Sequence, residues 1–175
     1  LPAILLALAL PRTVIAQAAT EDVQLPADTA AAPTEASPQP GPEARLHALV
    51  NRRRSQIGCL PLAWYGPAAA VAEARSADMI ARRYFDHVTP DGHNVFDELN
   101  DAGIAARGSI AENIALTQAG APAVLELWRD SPPHRKNVDN CAFTHEGIGE
   151  RGGVWTQILL DQPKPISRPA ASPLR

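Results

Sequence analysis

The chain has 175 residues, 45% of them apolar and 20% charged, with a net charge of −3 and two cysteines. That length supports one domain with its own core, and the mild acidity gives no electrostatic basis for holding nucleic acid or an anionic membrane surface. Cys59 and Cys141 lie far apart with no CxxC spacing, which excludes a zinc ribbon and a thioredoxin-type pair.

Residues 1–10, LPAILLALAL, are apolar but too few to cross a bilayer, and Ala16-Gln17-Ala18 has the small-x-small pattern of a signal-peptidase site. A secretory signal over 1–18, truncated at its start, is expected, with an uncleaved anchor as the alternative. Residues 19–42 are rich in Ala, Pro and Thr and hold too few large apolar groups to offset ordering entropy, so they read as a disordered linker. The proline-rich tail 163–175 has the same character. Eleven of the seventeen prolines fall outside 43–162, and that contrast bounds the domain. No later apolar run is long enough for a transmembrane helix, so none remains once the signal is removed. Export makes a Cys59–Cys141 disulfide the expected state, and closing so long a loop contributes roughly 3–5 kcal/mol in the chain-entropy account. Two buried free thiols are the alternative.

Leu46, Leu49, Val50 and Ile57 recur at helical spacing, predicting a helix over 43–57 that Gly58 ends, with Arg52, Arg53 and Arg54 on its solvated arc. After an extended stretch over 60–64, Pro67 opens a long Ala-rich helix over 67–84 whose buried stripe takes in Val71, Ala72, Met79 and Tyr84. Thr89-Pro90-Asp91-Gly92 is a turn signal. Short helices follow over 95–102 and 122–130, then a helical turn over 134–138. Strands over 146–150 and 154–160 are joined across Arg151-Gly152-Gly153. Helices first and a small sheet last give an α+β class.

Three polar segments interrupt this pattern: YFDH ending at His87, AENIA around Glu112, and SPPHR around His134. One helix cannot display residues so far apart, so only tertiary folding brings them together. Two imidazoles can ligate a metal such as Zn²⁺, and a carboxylate can orient an imidazole or activate water. Glu112 is the tentative catalytic group, with orientation of a histidine as its favoured role. Asn113 reads as a backbone-bonding turn residue at the cleft. Ser131, before two prolines, has N-cap rather than nucleophile chemistry, and no GxSxG element accompanies it. His47, His93 and His145 are expected to be exposed, and Trp64, Trp128 and Trp155 to pack the core.

The ordered series Asn51-Arg52, GCLPLAW at 58–64, ADM at 77–79, YFDH at 84–87, PDG at 90–92, AENIA at 111–115, Trp128 with SPPHR at 131–135, GIGE at 147–150 and WTQ at 155–157 resembles the CAP superfamily, or SCP-like domains, in its bacterial secreted form. The resemblance implies a three-layer α-β-α sandwich around a small antiparallel sheet, with a cleft holding two histidines and two acids. His87, Glu112 and His134 fall on three of those positions. Ser131 stands where many eukaryotic members carry the second acid, which favours binding over catalysis. Pro133 replaces a usual glycine, and Ile158-Leu159 replaces the Phe-Gly that usually follows WTQ. The same resemblance supports the Cys59–Cys141 bridge. It implies a secreted or envelope-located binding module with a divalent-metal-capable cleft at His87 and His134, for a small-molecule, lipid or envelope ligand. The alternatives are a metal-assisted hydrolase of a peptide or envelope substrate with Glu112 as base, and an envelope-associated lipid- or polymer-binding protein.

Overall fold

The computed structural model describes residues 40–165. The expected signal, residues 19–39 of the expected linker and residues 166–175 of the expected tail lie outside the described residues. Helix α1, Pro42–Gln56, starts on a proline whose missing N–H costs nothing at a first helical position. It buries Leu46, Val50 and, against expectation, Arg54. The three arginines do diverge, but Arg54 turns inward and its guanidinium donates to the carbonyls of Leu60, Val138, Asn140 and Phe143 at 2.8–3.0 Å. Four carbonyl acceptors offset the burial of this charge, and the three donors of an ammonium could not have met all four.

Strand β1, Ala63–Trp64, leads into α2, Gly66–Arg82, which carries Pro67 in its first turn. Its C-cap Arg83 is left-handed (φ 58°), and that sharp stop aims the chain at the His87 segment. Helix α3, Val95–Asp101, carries a capping box in which the Asn94 side chain accepts from the Asp97 N–H and Asp97 answers to the Asn94 N–H. Then follow β2 (Ile104–Ala105), β3 (Ile110–Leu116), α4 (Ala121–Asp130), α5 (Pro132–Val138), the hairpin β4 (His145–Arg151) and β5 (Val154–Leu160), and β6 (Lys164–Pro165), which pairs with β2. Helix α5 thus starts earlier than the predicted turn, its two prolines filling the first helical positions.

The main sheet runs β1-β4-β5-β3. Its three long strands are antiparallel as expected, whereas the two-residue β1 joins β4 in parallel, so the sheet is mixed. Helix α2 covers one face through the bare backbone of Gly147 and Gly149. A Cβ at these positions would lie 2.2 Å from the Ala69 nitrogen and 2.1 Å from the Glu73 nitrogen. The other face carries α1, α4 and α5 over a cluster that includes Leu46, Trp128, Val138, Phe143, Ile148 and Trp155. Each such side chain is worth about 1.5–3 kcal/mol when fully buried. The expected three layers are therefore present. Trp128 and Trp155 are core residues, but Trp64 is 43% exposed, because the short edge strand leaves its indole half uncovered beside His47. Cys59 and Cys141 form a disulfide across 82 residues, tying the end of α1 to the loop after α5.

Candidate functional site

Strand β3 is an edge of the sheet, and residue alternation along it sends Glu112 toward α2 and its neighbour Asn113 toward α5. The edge is thus where the two helical layers come within reach of one another. The segment after α2 supplies His87, β3 supplies Glu112, and α5 supplies His134. The rings of His87 and His134 have centres 6.3 Å apart. The three segments separated in sequence do converge.

Glu112 is buried and held from two sides. Its Oε1 accepts from His87 Nδ1 at 2.6 Å, and the carboxylate is ion-paired with Arg75. Arg75, itself wholly buried, also pairs with Glu98 of α3 at 2.7 Å and donates to the His87 carbonyl at 3.0 Å. One guanidinium therefore fixes the acid, the backbone of the first histidine and the neighbouring helix. No reading of the sequence singled it out, yet the signal was present: Arg75 stands four residues from both Val71 and Met79, on the stripe that must be buried.

The electrostatics of the two imidazoles differ. The hydrogen bond to Glu112 raises the His87 pKa above the ordinary 6.5 despite the opposing effect of partial burial. Burial, followed by the neighbouring His87, lowers that of His134. With Nδ1 committed to Glu112, His87 presents Nε2 outward, the carboxylate–imidazole arrangement that orients a metal ligand. Among the described residues no cluster of three or more His, Cys, Asp or Glu side chains forms a ready metal site.

Asn113 lies in a strand rather than a turn. Its amide donates to the His134 carbonyl at 3.3 Å and to Gln157 at 2.9 Å, and accepts from Asn137 at 2.9 Å. Ser131 occupies the N-cap position of α5, but its side chain makes no cap hydrogen bond, and only its carbonyl closes the first turn. It lines the cleft near His134 instead. Apolar hollows flank the histidines. One of about 330 Å³ includes Phe85, Leu116 and Leu127; the other, of about 360 Å³, includes Val88, Phe96 and Ile110. Of the remaining histidines, His93 is exposed. His47 and His145 are half-buried, bonded to Glu146 at 2.6 Å and to Thr144 at 2.8 Å; the expectation that both are exposed fails because each ring packs against the fold where it finds a hydrogen-bond partner.

Comparison with known proteins agrees with this architecture. The chain is 37% identical over 120 residues to the uncharacterized protein YkwD of Bacillus subtilis, covering 67% of this chain and 46% of YkwD. It is 34% identical over 118 residues to the uncharacterized membrane protein YlbC of the same organism, covering 67% of this chain and 34% of YlbC. The chain thus spans less than half the length of these relatives. The crystal structure of an extracellular protein containing an SCP domain from Bacillus anthracis superposes with a TM-score of 0.67 at 32% identity, over 70% of this chain and 41% of that one. A cysteine-rich secretory protein from Staphylococcus aureus matches at TM-score 0.61 over 74% of this chain and 40% of that one; at 20% identity it speaks for the fold alone. No helix among the described residues is long and apolar enough to cross a membrane. The sequence profile of the CAP (cysteine-rich secretory protein) family matches residues 47–150, from α1 through β4 and across all three converging segments, and the chain belongs to that family.

Proposed function

We propose that this protein is a secreted or envelope-located binding module whose cleft at the β3 edge holds a divalent metal, with Zn²⁺ the best fit, between His87 and His134. The observation that carries this reading is the approach of the two rings to 6.3 Å between centres, with one of them oriented by a buried carboxylate. Two imidazoles on one zinc, with Zn–N bonds of about 2.0–2.1 Å, bring the ring centres to roughly 5–6 Å. The present separation of 6.3 Å needs only a small closure of two partly exposed side chains. A bound metal supplies Lewis-acid polarisation of a ligand oxygen or water.

Binding fits better than hydrolysis. Glu112, the tentative general base, already receives His87 and Arg75, and Ser131 has no imidazole activating it among its hydrogen bonds. The apolar hollows on both sides suit an elongated ligand with a metal-seeking centre and apolar flanks. Zinc titration calorimetry on the wild type and on His87→Ala/His134→Ala tests the metal. One equivalent bound by the wild type, and at least tenfold weaker binding by the double variant, is expected; equal binding by both removes the metal from the cleft. Tenfold here is about 1.4 kcal/mol.

A further inference from the structure

Beneath α1 and α5, a line of polar side chains crosses the apolar layer from one edge of the sheet to the other. At the β1 edge, Asn51 clamps a single peptide group, its Oδ1 accepting from Leu62 N–H at 2.7 Å and its Nδ2 donating to Leu62 C=O at 3.0 Å. This clamp fixes which end of the amide faces His47, so Nδ2 points at His47 Nε2, 3.2 Å away. An amide N–H donor there requires Nε2 to accept, which places the ring proton on Nδ1, facing Glu146 Oε1 at 2.6 Å. Glu146 has no exposed surface, and its second oxygen accepts from Gln157 Nε2 at 2.5 Å. Gln157 must then turn its carbonyl to Asn113, which donates at 2.9 Å. Asn113 in turn has its second amide hydrogen for the His134 carbonyl and its own oxygen for Asn137.

Each of the three long strands contributes one member, Glu146 from β4, Gln157 from β5 and Asn113 from β3, and all three are completely buried. Gln157 and Asn113 are direct cross-strand partners. An apolar trio would fill the same layer without desolvating amides and a carboxylate. What the polar trio adds is direction. A carboxylate can only accept, and that one restriction dictates the orientation of both amides as far as α5. The Arg54 guanidinium feels the charge of Glu146 but hydrogen-bonds only to backbone carbonyls, so it does not compete for the carboxylate oxygens.

We propose that Glu146, Gln157 and Asn113 form a polarised hydrogen-bond wire that positions the His134 end of the cleft from the opposite edge of the sheet, with His47 as its remote terminus. These are positioning residues, since none of them faces the cleft ligand. The reading of His134 as a metal ligand is used only for the affinity measurement below.

The test is a charge swap in the full chain. Glu146→Gln removes the acceptor-only end, so one contact along the wire must be lost. Glu146→Gln/Gln157→Glu moves the carboxylate one strand along and restores every donor–acceptor match. The new amide on β4 accepts from His47 through its oxygen and donates through its nitrogen to the relocated carboxylate on β5, whose other oxygen still accepts from Asn113. The single variant should bind zinc about tenfold more weakly at pH 7.5, the usual cost of disturbing a residue behind a metal ligand, and the swap should return to within about threefold of wild type. Wild-type affinity in the single variant, or a swap no better than the single variant, overturns the wire. If the wild type itself binds no zinc, the metal reading fails. The wire is then judged by the side-chain amide resonances of Asn113 and Asn137, which the single variant should displace and the swap should return; unmoved resonances overturn it. Should the single variant not fold, the ring ¹⁵N shifts of wild-type His47 decide, since the wire requires the Nδ1–H form and an Nε2–H form refutes it.

Discussion

Arg75→Met isolates the role of the buried guanidinium. In the wild type the side chains of Arg75 and Glu112 are 0% and 3% exposed, so the variant leaves a carboxylate buried with His87 as its one remaining side-chain partner. Breaking a buried pair from one side costs about 3–5 kcal/mol, most of it the penalty of the stranded charge. With a urea m-value of about 2 kcal/mol per molar, the unfolding midpoint should fall by about 2 M. Adding Glu112→Gln to the variant removes the stranded charge and should recover more than half of the loss, whereas Glu112→Gln in the wild type destabilises by leaving the buried Arg75 with Glu98 as its one carboxylate partner. Opposite signs for one substitution in two backgrounds are the signature of coupling. The assay is urea unfolding at pH 7.5 with the disulfide intact, followed by tryptophan fluorescence. A loss under about 1 kcal/mol in Arg75→Met, or Glu112→Gln destabilising both backgrounds equally, refutes the reasoning. The same variant removes a cation that depresses the His87 pKa, so a more alkaline His87 titration is expected by NMR in any folded fraction.

Gly149→Ala should cost several kcal/mol, because its Cβ would meet the α2 backbone at 2.1 Å, where no side chain can yield; a midpoint shift in thermal unfolding smaller than a few degrees contradicts this. Zinc affinity should rise with pH through the region above 6.5, since Glu112 helps His87 keep its proton past the ordinary histidine value and metal must displace it; calorimetry from pH 6 to 8.5 gives the slope. In metal-free protein the two histidines should also act oppositely on stability. His87, raised in the folded state, contributes stability that is complete below 6.5 and is lost as pH rises through its folded pKa. His134, lowered, contributes stability present above 6.5 and lost as pH falls through its folded pKa. His87→Ala should therefore flatten the alkaline side of the stability profile and His134→Ala the acid side. Cys59→Ser/Cys141→Ser should lower stability by roughly 4–5 kcal/mol for a loop of this length, measured by urea unfolding against the oxidised wild type.

Helix positions were legible because apolar spacing, proline starts and glycine stops act within a few residues. The hairpin was legible from its apolar runs and the Gly152-Gly153 turn. Buried charge was harder to read. Arg54 and Arg75 both look like ordinary helix-surface residues by type, and only their places on the buried arc mark them. His47 and Glu146 were illegible as a pair, because 99 residues separate them and neither stands in a motif. Ser131 illustrates a local rule overridden: its sequence suits an N-cap, yet its side chain faces the cleft region and leaves the cap unmade.

The amino-acid sequence by itself determined the helices, the hairpin, the α+β class and the three polar segments, since each follows from periodicity, turn chemistry and residue order along the chain. Only the tertiary structure decided that the segments meet at the β3 edge, that Glu112 is held between Arg75 and His87, and that a hydrogen-bonded line joins His47 to α5. Those facts depend on distances and on the direction of donors and acceptors between strands, and such quantities exist only once the sheet has formed.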